Sequence, residues 1–120
     1  MKLTLLGTGC PSIDYKRCGA SNLVSTKKTK ILIDCGSGVT QRLNQSKNSS
    51  TDIDALLLTH LHTDHVIDLY QLIISSWHSD RDSIWRIYGP KGTKKFVDKI
   101  FLAWKIEREL RISYEKRKST

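Results

Sequence analysis

Three of the four histidines in this 120-residue sequence fall within six positions, His60-Leu61-His62-Thr63-Asp64-His65, directly after the apolar run Ala55 to Leu58. At the end of a strand, residues two apart face the same side, so His60 and His62 can present two imidazoles to one cation. Asp64 and His65, just past the turn and at the start of a helix, reach a second position beside the first. Neutral imidazole mixed with carboxylate suits Zn²⁺, with Mn²⁺ or Fe as further candidates. Two such ions about 3.5–4 Å apart activate a water and clamp both oxygens of a displacement. A polar loop whose histidines merely capped a helix would not need four potential ligands at this spacing.

The elements that must hold this cluster follow from the apolar pattern. Lys2 to Leu6 reads as a strand that stops at Gly7-Thr8-Gly9, and Ser21 to Ser25 with Lys30 to Asp34 reads as a hairpin around the polar Thr26-Lys27-Lys28-Thr29. Asp34-Cys35-Gly36-Ser37-Gly38 lets the backbone turn closely before a short helical pattern, Val39 to Leu43, and Asn44 to Thr51 is a polar loop. Asp54 to Leu58 is the run of a strand buried on both faces. From His65 the apolar positions Val66, Ile67, Leu69, Leu72, Ile73 and Trp77 predict one helix of about three turns, with His78 a surface residue at its end. Ile84 to Tyr88 predicts a further strand, and Gly92-Thr93 opens a helix with Phe96, Val97, Ile100, Phe101 and Trp104 on one face. Trp77, Trp85 and Trp104 are expected to pack in the core. Strands followed by strand, helix, strand and helix predict an α/β layered domain.

Composition bounds the function. With 38% hydrophobic and 27% charged residues the chain is too apolar to read as disordered, and it has no run near the ~20 apolar residues of a membrane span. The apolar stretch Leu3 to Leu6 is shorter than the ~7–15 residues of a signal-peptide core, and Cys10, Cys18 and Cys35 are odd in number, so a cytoplasmic protein with reduced thiols is expected. The net charge is +8; residues 91–120 carry ten bases against four acids, whereas residues 61–90 carry two against four. A basic end beside an acidic middle suggests a polyanion-binding flank next to a cation-binding centre, although a solvated helix face gives the same count.

His60-x-His62-x-Asp64-His65 after an apolar strand resembles the signature of the metallo-β-lactamase-fold hydrolases. Leu6-Gly7-Thr8-Gly9 with Pro11 and Ser12, Ile33-Asp34-Cys35-Gly36-Ser37-Gly38, and Tyr88-Gly89-Pro90-Lys91-Gly92-Thr93 are similar to the ribonuclease Z and arylsulfatase-like branch. The resemblance spans about residues 2–110 and implies the first half of an αββα sandwich, a mixed β-sheet with flanking helices. It implies that His60 and His62 ligate one zinc and that Asp64 and His65 ligate the other. Asp64 also holds the attacking water or acts as its base, and Asp34 orients the ligand loop from behind. Thr59 can help shape that loop. No residue is assigned to substrate binding.

The resemblance also implies three further ligands downstream, a His for each zinc and a bridging Asp. None is found here, so residues 1–120 are expected to be the N-terminal part of the domain, with apolar sheet surface left exposed. The function it implies is zinc-dependent hydrolysis of phosphodiesters through a metal-activated water, as in removal of a tRNA 3′ trailer, with RNA as partner and a homodimer at full length. An arylsulfatase-like or cyclic-nucleotide phosphodiesterase-like hydrolase of a small ester is the second reading. A catalytically inert half-domain is the third, because half a ligand set does not close a zinc site.

Overall fold

The structure, a computed structural model, describes residues 1–116, which form two compact units, residues 1–90 and 91–116. The first carries five strands, β1 (Lys2–Gly7), β2 (Ser21–Ser25), β3 (Lys30–Ile33), β4 (Ala55–Leu57) and β5 (Ile87–Tyr88), paired in chain order in one sheet. β1, β2 and β3 run antiparallel, with Leu23 opposite both Thr4 and Leu32; β3, β4 and β5 run parallel, with Leu56 opposite both Leu32 and Ile87. The mixed sheet follows from the connections. A four-residue polar turn permits only antiparallel pairing, while each parallel step needs a crossover, made here by α1 (Val39–Gln45) and then by α2 (Thr63–Val66) with α3 (Leu69–His78).

That register gives the sheet two apolar faces. One presents Leu6, Leu23, Leu32 and Leu56, all buried together with Val39 and Leu43 of α1 and Leu69, Leu72, Ile73 and Ile74 of α3, and this is the core. The opposite face carries Leu3, Leu5, Val24, Ile31, Ile33 and Leu57. Leu3 and Leu5 are 62% and 65% exposed. Apolar side chains on both faces are what a sheet covered on both sides needs, so the exposure expected from the sequence is present on β1.

Several boundaries differ from the sequence reading for identifiable reasons. β3 ends at Ile33, because Asp34 takes a left-handed backbone (φ 60°) that no strand continues. The polar loop after α1 contains one tight turn, Ser50–Asp52, capped by the Ser49 hydroxyl, which accepts from the Thr51 amide at 3.2 Å. The single helix expected from His65 is two, α2 and α3. At the break the Asp68 amide donates to the Cys35 carbonyl (3.1 Å), and its carboxylate accepts from the Thr40 amide and hydroxyl (2.7 Å each). The strand expected over Ile84 to Tyr88 shortens to β5. Residues ahead of it are held sideways, with the Trp85 indole donating to Ser76 Oγ (2.9 Å) and the Arg81 guanidinium stacked 4.2 Å from the Trp85 ring while it donates to the Thr51 and Ile53 carbonyls.

The second unit is a pair of helices, α4 (Thr93–Ala103) and α5 (Lys105–Glu115). Phe96, Val97, Ile100 and Phe101 are half-buried, as their spacing predicts, but Trp104 is exposed at the junction and is not a core residue. α5 has no counterpart in the apolar pattern, since its sequence is dominated by charge and buries no residue. All four acids of this unit pair with a base on the same helix: Lys94–Asp98 (2.7 Å), Lys105–Glu109 (3.5 Å), and Arg111 with both Glu107 and Glu115. Such pairs add only tenths of a kcal/mol each, and they place these seven charges on solvated helix faces.

Candidate metal centre

Asp34 is buried where the chain leaves the central strand, and its strained backbone is fixed from three directions. Its amide donates to the Leu57 carbonyl (2.8 Å), its carbonyl accepts from Ser21 Oγ (2.8 Å), and the next amide, Cys35, donates to the His65 carbonyl (2.7 Å). A left-handed non-glycine residue costs of order 1–3 kcal/mol and persists where its surroundings over-determine it. The carboxylate so placed accepts from the Thr59 amide (2.8 Å), from the Thr59 hydroxyl (2.8 and 3.0 Å) and from His65 Nδ1 (2.8 Å). One buried acid therefore ties the end of β3 to both ends of the histidine loop.

Gly36 makes the close approach possible. A Cβ at this position would lie 2.3 Å from the Asp64 carbonyl oxygen and 2.6 Å from the Ala20 amide nitrogen, contacts that only glycine avoids. Cys35 lies fully buried between these segments. Burial pushes its thiol well above the ordinary range, and the neighbouring Asp68 and Asp34 charges add to the effect.

The loop after β4 carries the cluster. The His60 and His62 rings meet edge-on at 4.6 Å between centroids, and the His60 and His65 rings lie 4.1 Å apart, so all three imidazoles gather at one end of the sheet. α2 is a single turn that starts after His62 and places Asp64 and His65 on it, with His65 Nε2 3.5 Å from Asp64 Oδ2. In a neutral imidazole, donation from His65 Nδ1 to the Asp34 carboxylate leaves Nε2 with a free lone pair facing Asp64. His78, the remaining histidine, ends α3 against the Trp77 ring (5.5 Å) and is half-buried, not the surface residue expected from its place at a helix end.

The donors fit a cation in type and, for one pair, in spacing. Two ligand atoms each about 2.0–2.2 Å from a tetrahedral zinc stand about 3.3–3.6 Å apart, and the Asp64–His65 pair stands at 3.5 Å. Among the described residues no group of three or more His, Cys, Asp or Glu side chains is arranged to hold one ion. The structure thus brings His60, His62, Asp64, His65 and Asp34 close to one another. It adds Thr59 as a full partner of Asp34, and Asp68 as the anchor of α1. For Asp68 the available signal was an acid inside an apolar helical pattern, a residue type that favours helix starts over interiors.

Residues 1–109 match the family described as Anti-Pycsar protein Apyc1. Curated relatives include a ribonuclease Z of Mycolicibacterium gilvum, 40% identical over 118 residues that make up 95% of this chain and 41% of that protein. Another is a ribonuclease Z of Mycolicibacterium paratuberculosis, 44% identical over 100 residues, 81% of this chain and 36% of that protein. Among solved structures, the short form of human tRNase Z is similar at TM-score 0.78 and 28% identity, covering 86% of this chain and 40% of the human one. The metallo-β-lactamase-fold protein YhfI of Bacillus subtilis is similar at TM-score 0.64 and 25% identity, over 72% and 37% of the two chains. The chain spans about two fifths of the length of the curated relatives it matches. With its mixed five-stranded sheet, flanking helices and histidine loop, it has the metallo-β-lactamase fold and belongs to the Anti-Pycsar protein Apyc1 family.

Proposed function

We propose that this protein carries part of the ligand set of a metal-dependent phosphodiester hydrolase of the ribonuclease Z kind, acting on the 3′ trailer of precursor tRNA. The observation that carries the reading is the pairing of His65 Nε2 with Asp64 Oδ2 at 3.5 Å while Asp34 occupies His65 Nδ1. His60 and His62 would hold one ion, and Asp64 and His65 the other, with zinc favoured by the mixed imidazole and carboxylate set. Bound there, the metal supplies Lewis acidity and makes water a nucleophile at neutral pH. The chain's own part is positional. Asp34 fixes the ring and tautomer of His65, Gly36 lets the Asp34 loop press against the backbone of α2, and Asp64 is set to accept a proton from the attacking water.

The identity of about 40% to ribonucleases Z over nearly the whole chain supports tRNA as the substrate. The net charge of +8 agrees with a polyanion but assigns no sequence to it. The family description differs from the relatives' name, so the test must separate substrates. The protein is incubated with Zn²⁺ and, separately, a trailer-bearing precursor tRNA, bis(p-nitrophenyl) phosphate and a cyclic nucleotide. Endonucleolytic trailer release, lost in His62→Ala and Asp64→Ala, is the expected result. Turnover of the small esters alone favours the second reading, and metal binding without any turnover favours an inert half-domain. The same reading carries a homodimer, checked by sedimentation equilibrium, and a cytoplasmic setting in which Cys10, Cys18 and Cys35 stay reduced. Among the described residues, no helix is long and apolar enough to cross a membrane.

A further inference from the structure

The Thr59 hydroxyl contacts both Asp34 and His60. It lies 2.8 and 3.0 Å from the two Asp34 carboxylate oxygens and 3.0 Å from His60 Nδ1. A hydroxyl has one hydrogen and two lone pairs, and an ionised carboxylate accepts only. The hydrogen therefore goes to Asp34, and the oxygen faces His60 with a lone pair. For the 3.0 Å contact to be a hydrogen bond, His60 must carry its proton on Nδ1 and leave Nε2 bare. Asp34 imposes the same tautomer on His65 directly, through Nδ1 at 2.8 Å.

We infer that Thr59 is a positioning residue that relays the Asp34 carboxylate to His60, so that one buried acid holds two histidines of the loop in the tautomer whose Nε2 is free to bind a metal. The geometry favours a built relay over a chance contact. Thr59 is held by its own amide as well as its hydroxyl, both on Asp34, which fixes the side chain's origin and its end at once. Asp34 in turn accepts a strained backbone to reach this position. Thr59 is exposed, so water competes for the hydroxyl and the effect is set near the lower end of the 10–100-fold range for outer-shell partners of metal ligands.

This inference rests on the metal-centre reading for its purpose, but its direct test needs no metal. Long-range ¹H–¹⁵N correlation spectra of the metal-free protein, recorded where the imidazoles are neutral, report the protonated nitrogen of each histidine. The expected result is Nδ1–H for His60 and His65 in the parent. In Thr59→Val, which keeps shape and loses the hydroxyl, His60 moves toward Nε2–H while His65 is unchanged; Thr59→Ser restores the parent pattern. His60 as Nε2–H in the parent, or the same His60 tautomer in Thr59→Val as in the parent, overturns the relay. The parent spectrum decides the first point even if Thr59→Val does not fold. Titration with Zn²⁺ alone then reads the consequence, an affinity about tenfold weaker in Thr59→Val and within about twofold of the parent in Thr59→Ser. Undiminished affinity in Thr59→Val overturns the relay's role in binding. A parent that fails to take up zinc while keeping both Nδ1–H tautomers refutes the metal centre and leaves the hydrogen-bond relay standing.

Discussion

Asp34 and Cys35 sit side by side at the end of β3 and do opposite electrostatic work. Four contacts from Thr59 and His65 surround the Asp34 oxygens. Cys35 is a thiol that the same neighbourhood keeps neutral, since burial and two nearby carboxylates oppose its ionisation. The folded-state pKa of this acid lies above its unfolded value, so the unfolded chain loses the proton first as pH rises. Stability is therefore full below the thiol's ordinary value of 9.0 and falls above it, with a slope approaching about 1.4 kcal/mol per pH unit for one proton. Denaturant unfolding between pH 8 and pH 10.5 should show this extra alkaline loss in the parent and not in Cys35→Ala. Iodoacetamide should label the exposed Cys10 readily and leave Cys35 unmodified until the protein unfolds.

At the scale of the element, the histidine loop is positioned by backbone pairing as much as by side chains. The Cys35 amide bonds the His65 carbonyl, the Asp68 amide bonds the Cys35 carbonyl, and Gly36 allows these strands of chain to meet. Gly36→Ala forces a methyl against the Asp64 carbonyl oxygen. It should destabilise the fold by about 1–3 kcal/mol, read as a lower Tm, and weaken zinc binding together with it. The strands and α1 were legible in the sequence because their apolar runs are bounded by Gly and polar turns, and the His60 to His65 motif was legible because residue type alone announces it. The break between α2 and α3 was not, because Val66, Ile67, Leu69 and Leu72 keep a helical period straight through it. What interrupts the helix is a long-range contact of Asp68 with Thr40 and Cys35, which no local pattern encodes. α5 is not legible for the converse reason: its sequence is dominated by i,i+4 charge pairs and has no buried stripe to announce it.

At the scale of the whole molecule, the chain presents the histidine loop on a sheet with one covered face and, on β1, one bare one. Exposed Leu3 and Leu5 continue the row of Val24, Ile31 and Ile33 across the sheet. The folded protein should bind the apolar dye ANS, and Leu3→Lys with Leu5→Lys should cut that fluorescence severalfold without lowering the helical far-ultraviolet signal. The most direct test of the account is zinc titration followed through the ¹⁵N signals of the four histidines. The expected result is saturable shifts at His60, His62 and His65, abolished at His65 by Asp64→Ala, with His78 unmoved as an internal control. Zinc-dependent shifts that include His78 equally, or that spare the His60 to His65 loop, would contradict it.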